Sequence, residues 1–244
     1  TSACYIQERI GARRAWGIDV QNRCCTTVSA MKLAKDILLA DDECNTILVA
    51  GGYRNCDFID FTDSGVSFMF NLGAGGGALI LRKGYEKNQL LGTHIMTDGS
   101  VVHTCGSKVG GIVEPVTAEN VSEFGMLRLM DSPKMKGMLN STSMPNWYHC
   151  IDEALRKSGM TRKDIGYLDI LHIKRSGHKA MLADLGLTEE QTIYLEDYGH
   201  IGQVDQILSL KLALEQGKVK DGTVISMIAA GIGYTWAANV IKWG

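Results

Sequence analysis

Cys24 and Cys25 stand together in DVQNRCCTTVSAM (residues 19–31), between a short apolar run and the start of a helical pattern. A cysteine attacks as its thiolate, and the free N–H groups and dipole of a helix N-terminus stabilise that negative charge. A junction between strand and helix also exposes the nucleophile and offers a main-chain N–H to an oxyanion. Cysteine is equally among the most buried residue types, so packing competes as the explanation for both thiols. Six histidines are candidate bases or donors. His172 ends the apolar run LDILHI, at the carboxyl end of a predicted strand, where ligand sites of α/β proteins gather. His200 lies in DYGHIG, a glycine-flanked turn before a helix. His178 falls on the flank of a helix after His172, and His94, His103 and His149 sit in less constrained contexts. No HxxxH or HExxH spacing occurs, so no metal site is predicted.

These residues need elements to position them. Apolar periodicity predicts helices over residues 2–14, ending near Gly11, and over 26–39, with Val28, Met31, Leu33, Ala34, Ile37 and Leu38 as a helical stripe. NTILVAGG (45–52) and YLDILHI (167–173) read as buried strands, and residues 18–21 as a short one. SFMFNLGAGGGALILRK (67–83) reads as strand, close-packed turn, strand. Its GAGGGA is followed by an apolar run rather than a helix, which argues for close backbone packing and against a dinucleotide fingerprint. LLGTHIMTDGS reads as a strand and turn, residues 147–158 as a helix, and the C-terminus as two β-rich runs around AAGIGYTW. Residues 106–145, rich in Gly, Ser and Met, are the least regular part and read as an excursion or lid. Strand, glycine turn and helix recur in both halves, which points to two related α/β units.

Composition narrows the function classes. With 244 residues, one large domain or two modest ones can bury a core. Twenty-five basic against 27 acidic residues, with no basic run, argue against nucleic acid or an anionic membrane as the main partner. No apolar run reaches the ~18–20 residues of a membrane span. Seven cysteines, an odd number without CxxC spacing, suit free thiols in a reducing cytoplasm better than a zinc or disulfide framework. TSACYIQERI has no secretory pattern and no initiator Met, and it opens directly on a helix, so the chain is expected to start mid-protein.

Taken in order, SACYIQERIG, DVQNRCCTTVSAMKLA, ILVAGGYRNCDFIDFTDSGVSFMFNLGAGGGALIL, HIMTDGS, YLDILHI, YLEDYGHIGQVDQ and GIGYTWAANVI resemble segments of the thiolase superfamily, specifically the ketoacyl synthase III group. The resemblance implies a layered αβαβα fold of two related halves. The family pattern starts about 85 residues earlier, so the N-terminal half is expected to be incomplete in this chain, with a separate polypeptide as one source of the remainder. Residues 1–105 are then the remainder of the N-terminal half carrying the nucleophile, 106–145 an insertion or lid, and 146–244 the C-terminal half carrying both histidines.

The resemblance places the nucleophile at Cys24 rather than Cys25 and the two donors at His172 and His200. The family has Asn where His200 stands, and placing His172 requires a one-residue gap, which leaves Lys174 and His178 as alternatives. It implies that Cys24 takes an acyl group from a thioester of coenzyme A or acyl carrier protein. A malonyl-type thioester then loses CO2 and attacks to give a 3-oxoacyl product, with the N–H groups of Cys24 and Ile232 as oxyanion hole. No permanently bound cofactor is implied; coenzyme A or phosphopantetheine thioesters are substrates. Lys174, Arg175 and Lys179 are candidates for binding pantetheine phosphate or an acidic carrier protein, against the alternative of a solvated helix face. Met135, Met138 and Met144 could line an acyl tunnel. A homodimer through the strand at 45–52 or its neighbour at 18–21 is expected. An acyltransferase or thioesterase on the same scaffold and a non-catalytic partner subunit remain alternative functions.

Overall fold

The computed structural model describes residues 1–244. Helix α1 (Ser2–Arg9) is capped by Thr1, whose hydroxyl accepts from the Cys4 N–H. The Ser2 and Ala3 N–H groups donate to the Asp19 carboxylate at 2.9 and 2.8 Å. Residues 18–21, expected as a strand, pair with none: Asp19 is engaged by the first turn of α1 instead. Helix α2 (Thr26–Ala40) follows directly and buries Val28, Met31, Ala34 and Leu38 of the predicted stripe, while Ile37 is half-buried and Leu33 is exposed. Strands β1 (Thr46–Tyr53) and β2 (Gly75–Arg82) form an antiparallel pair in unbroken register from Thr46 opposite Arg82 to Tyr53 opposite Gly75.

The apolar run at 67–70, also expected as a strand, belongs to a 3-10 segment, Ser64–Met69, and its exit. Gly75, Gly76 and Gly77 of GAGGGA open β2 rather than forming a turn between strands, and Gly73 lies just before it. A Cβ on Gly75 would come within 2.9 Å of Ile201, and one on Gly77 within 3.0–3.1 Å of Val204 and Ile207. Their bare backbone lets the chain around His200 lie directly on the sheet.

Strand β3 (Gln89–Thr97) leaves this half altogether. A short pair, β4 (Cys105–Ser107) and β5 (Leu127–Leu129), then precedes helix α3 (Ser132–Met138) and helix α4 (Met144–Lys157). Strand β6 (Tyr167–Ile170), helix α5 (Arg175–Leu185), helix α6 (Asp205–Glu215), β7 (Val224–Gly231) and β8 (Thr235–Lys242) complete the chain. The larger sheet has the order β3-β8-β7-β6, with β6 and β7 parallel and the other pairs antiparallel. Strand β3, which the sequence reading places with residues 1–105, pairs with β8 in the larger sheet.

Helix α4 covers β3 and β8; α2 and α6 lie between the two sheets, α2 touching β1 and β8, α6 touching β6 and β2. The result is thiolase-like layering, helix, sheet, helices, sheet. Strands β7 and β8 are almost wholly buried, as expected of a sheet covered on both faces. The β1–β2 pair is covered on one face only, and Ile80 on the other is 71% exposed. A two-stranded sheet is marginal alone, so α2 and α6 supply what holds it.

Candidate active site

The turn before α2 is wound tightly. Arg23 has φ of 50°, an uncommon left-handed conformation for a residue with a side chain. Cys25 N–H donates to Asn22 O and Thr26 N–H to Arg23 O, both at 3.0 Å. The Thr26 hydroxyl donates to Arg23 O at 2.6 Å and accepts from Asn22 N–H at 2.8 Å. This geometry separates the two thiols. Cys25 is fully buried, its Sγ 3.3 Å from the Thr235 carbonyl, and burial pushes its pKa well up, so it is a packed, neutral thiol. Cys24 is only half-buried.

His200 is brought to Cys24 by the glycine turn. Its N–H donates to Asn71 O, and its carbonyl accepts from Gly73 N–H, each at 2.8 Å. The ring's Nε2 lies 3.1 Å from Cys24 Sγ, and its Nδ1 2.5 Å from Asp205 Oδ2. With a carboxylate on Nδ1, that nitrogen carries the proton and donates, which turns Nε2 towards the sulfur. Burial opposes a charge on this ring, but the hydrogen bonds and charges of Asp205 and Cys24 outweigh it and lift the imidazole to about 10. Such a pairing is what an activated cysteine needs: a proton acceptor within hydrogen-bond reach, oriented by a third group.

His172 joins the group through its main chain. Its N–H donates to Asp205 Oδ2 at 2.7 Å. Its ring makes no hydrogen bond to Cys24 or His200 and lies tilted on Tyr194, centroids 4.8 Å apart. Nδ1 is enclosed without a partner, and burial draws the ring's pKa down. His178, the alternative, points its Nε2 at Thr192 Oγ1 and is deep in the fold. The opposite wall of the site comes from Tyr53, whose ring is 6.0 Å from that of His200 and would overlap any side chain placed on Gly202. Burial, then the nearby Cys24, keeps the Tyr53 hydroxyl protonated.

The end of β7 closes the floor. Gly231 packs on the turn that carries Cys24, and Ile232, half-buried, follows it. Of the three basic candidates, Arg175 stacks on Tyr194 at 4.1 Å and pairs with Glu196, and Lys179 pairs with Glu189. Lys174, the N-cap of α5, makes no ion pair. Met135 is buried in the core, and Met138 and Met144 pack against it. Sequence reading passed over Asp205 and Tyr53. The available signal was an acid five residues beyond His200, at the start of a helix.

Two family models match: 3-oxoacyl-[acyl-carrier-protein] synthase III over residues 18–99, and the C-terminal part of the same enzyme family over residues 155–243. The β-ketoacyl-[acyl-carrier-protein] synthase III of Natranaerobius thermophilus is 25% identical over 253 aligned positions, covering the whole of this chain and 73% of the relative. The crystal structure of the Aquifex aeolicus 3-oxoacyl-[acyl-carrier-protein] synthase III superposes with a TM-score of 0.83 at 20% identity, covering 99% of this chain and 72% of that one. The Thermus thermophilus synthase III also gives 0.83, at 23% identity, over 100% and 72%. With both parts of the family model matched in order and the fold shared along its length, the chain belongs to the 3-oxoacyl-[acyl-carrier-protein] synthase III family of condensing enzymes.

Proposed function

We propose that Cys24 is an acyl-accepting nucleophile that takes an acyl group from a coenzyme A or carrier-protein thioester and passes it to a decarboxylating malonyl-type thioester. The observation that carries this reading is the 3.1 Å approach of His200 Nε2 to Cys24 Sγ, with Asp205 behind it. The thiolate attacks the thioester carbonyl, and the departing thiol takes its proton from His200. The oxyanion faces the N–H groups of Cys24 and Ile232; one such donor typically contributes ~10²–10³ in rate. The second thioester breaks its bond to the carboxylate, CO2 leaves, and the enolate carbon attacks the acyl carbonyl. Before this second step His200 regains a proton from solvent, and Cys24 departs as a thiolate that pairs with the imidazolium again. His200 is the charged donor to the enolate oxygen, and His172 is the second donor, through its Nε2.

Lys174 is the cation best placed to meet a pantetheine phosphate, since Arg175 and Lys179 are already paired. A homodimer paired along β1 or the extended segment before the nucleophile, and a reducing cytoplasm suited to seven free cysteines, complete the reading.

One observation favours a second reading. Nucleophile, base and orienting carboxylate stand in line, the arrangement used for acyl transfer to an alcohol, an amine or water. Intact mass after mixing with a panel of acyl-coenzyme A thioesters tests the common step: a single acyl adduct, absent in Cys24→Ala, is expected. Adding malonyl thioester then separates the readings. CO2 release with a 3-oxoacyl product supports condensation; loss of the adduct without CO2 supports transfer. No adduct with any donor overturns both.

A further inference from the structure

We propose that Tyr194 is a positioning residue of this site: its ring fixes the orientation of the His172 imidazole and leaves Nε2 as the one atom of that ring able to donate to substrate. The proposal rests on the reading of His172 as a donor in the second step. The sequence pattern of cysteine and histidines does not point to Tyr194.

A functional histidine is ordinarily oriented by a hydrogen bond to its second ring nitrogen. His200 follows that rule through Asp205, and His172 does not. The main-chain N–H of His172 donates to Asp205 Oδ2 at 2.7 Å, which leaves both side-chain torsions to be set by packing. Nδ1 is enclosed and has no partner. What lies on the ring is Tyr194, with centroids 4.8 Å apart and planes inclined at 40°.

Tyr194 is itself pinned. The segment that carries it runs beside β6: Thr192 bridges to Leu168, and its hydroxyl donates to Leu168 O at 2.9 Å. The Tyr194 hydroxyl donates at 3.1 Å to the carbonyl of Ile173, the residue after His172. The Arg175 guanidinium stands 4.1 Å from the ring centroid and is held by Glu196. His178 meets the ring edge-on, at 5.3 Å and 82°, with its own Nε2 on Thr192. An aromatic ring held by its hydroxyl, a cation and a second ring is a rigid platform for the imidazole that packs on it.

The surroundings also decide the protonation of His172. The groups that face it are Asp205 from α6, His200 from the glycine turn, Arg175 and His178 from α5, and Tyr194 and Glu196 from the segment before that turn. Burial opposes a charge on the ring, as do His200 and Arg175, and together they outweigh Asp205 and Glu196. A second proton would sit on the enclosed Nδ1 with no acceptor, so the ring is neutral and carries its proton on Nε2. The two histidines of the site therefore differ in kind. His200 is set by a carboxylate, and His172 by an aromatic face. Arg175, a candidate for binding phosphate, is engaged in building that face.

The test reads the His172 ring directly. Nitrogen-15 spectra of the histidines in the full chain, near neutral pH, report the tautomer of each ring. The parent is expected to show His172 as a single Nε2–H tautomer with Overhauser contacts to the Tyr194 ring. Tyr194→Leu keeps an apolar side chain and removes the platform; it should give His172 shifts averaged over both tautomers. In that variant acylation of Cys24 by acyl-coenzyme A should stay within about twofold of the parent, while formation of 3-oxoacyl product with malonyl thioester slows roughly tenfold, as expected for a displaced reacting group. Tyr194→Phe keeps the ring and loses only the bond to Ile173 O; it should recover the single tautomer and most of the second step. A folded Tyr194→Leu protein with the parent His172 spectrum overturns the proposal. If that variant does not fold, the parent spectrum decides: one Nε2–H tautomer in contact with Tyr194 supports the proposal, and an averaged ring or an Nδ1–H ring overturns it. A chain that makes no 3-oxoacyl product yet loses the single tautomer in Tyr194→Leu loses the condensing reading and keeps the role of Tyr194.

Discussion

Gly231 lies against the main chain of Cys24: a Cβ built on it would stand 3.2 Å from the Cys24 nitrogen and 3.0 Å from both Asn22 O and the Arg23 side chain. The end of β7 and the turn carrying Cys24 are therefore packed backbone to backbone, too tightly for a methyl group unless one of them gives way. Gly231→Ala should push the Cys24 N–H by a few tenths of an ångström while the surrounding sheet holds. Misplacement of reacting groups is costly, up to ~10² in rate for 1 Å. The expected outcome is a roughly tenfold slower acylation of Cys24 with a stability loss near 1 kcal/mol. Stopped-flow release of coenzyme A and a urea melt check the two parts.

Gly199 carries the same logic to the histidine. Its φ is +67°, and a Cβ would fall 2.4 Å from Asn71 O, the atom that accepts the His200 N–H. Gly199→Ala meets a left-handed backbone penalty and a collision with main chain, neither of which can be relieved by turning a side chain. A loss of more than about 2 kcal/mol is expected, together with loss of Cys24 acylation in whatever fraction remains folded. A variant with parent stability in chemical denaturation would show that the turn relaxes around the methyl.

How much of this was legible follows from what each pattern depends on. The helical stripe of α2 and the apolar runs of β7 and β8 encode their own burial, so their positions could be read directly. Residues 18–21 have strand-like composition, but a strand needs a ladder, and Asp19 is engaged with α1. The sequence does not say that β3 crosses to β8, because its apolar run fits either sheet. Cys24 and His200 stood out by residue type and turn context. Asp205 did not, since an acid at a helix start is ordinarily a solvated dipole partner; only the fold shows that it is sealed from water.

His178 makes an acid-side prediction. Thr192 gives its one hydroxyl proton to Leu168 O, so it must accept from His178 Nε2–H. Nδ1 is enclosed with no partner, and a second proton there would have nowhere to donate. Burial thus lowers this imidazole to about 4. A depressed pKa contributes stability that is present above the unfolded value of 6.5 and is lost as pH falls through the folded one. The protein should therefore weaken between about pH 6.5 and 4, by up to roughly 3 kcal/mol from this group. Urea midpoints at these two pH values, in the parent and in His178→Gln, measure it. An equal acid loss in both proteins would assign the effect elsewhere.

Asp169 predicts the opposite dependence. Its carboxyl is fully buried in β6, neither oxygen has a hydrogen-bond partner, and burial raises its pKa well above the ordinary carboxylate value. A raised pKa means that its stabilising contribution is present at low pH and lost as pH rises, since the unfolded chain releases a proton that the folded chain must retain. Asp169→Asn keeps the shape and removes the obligation to stay protonated. It should stabilise the protein at pH 7.5, by an amount on the order of 1–3 kcal/mol, with the gain shrinking towards pH 4. Denaturation of parent and variant across that range is the measurement. A variant less stable than the parent at pH 7.5 would mean that the carboxylate is ionised in the folded chain and held there by a partner such as a buried water.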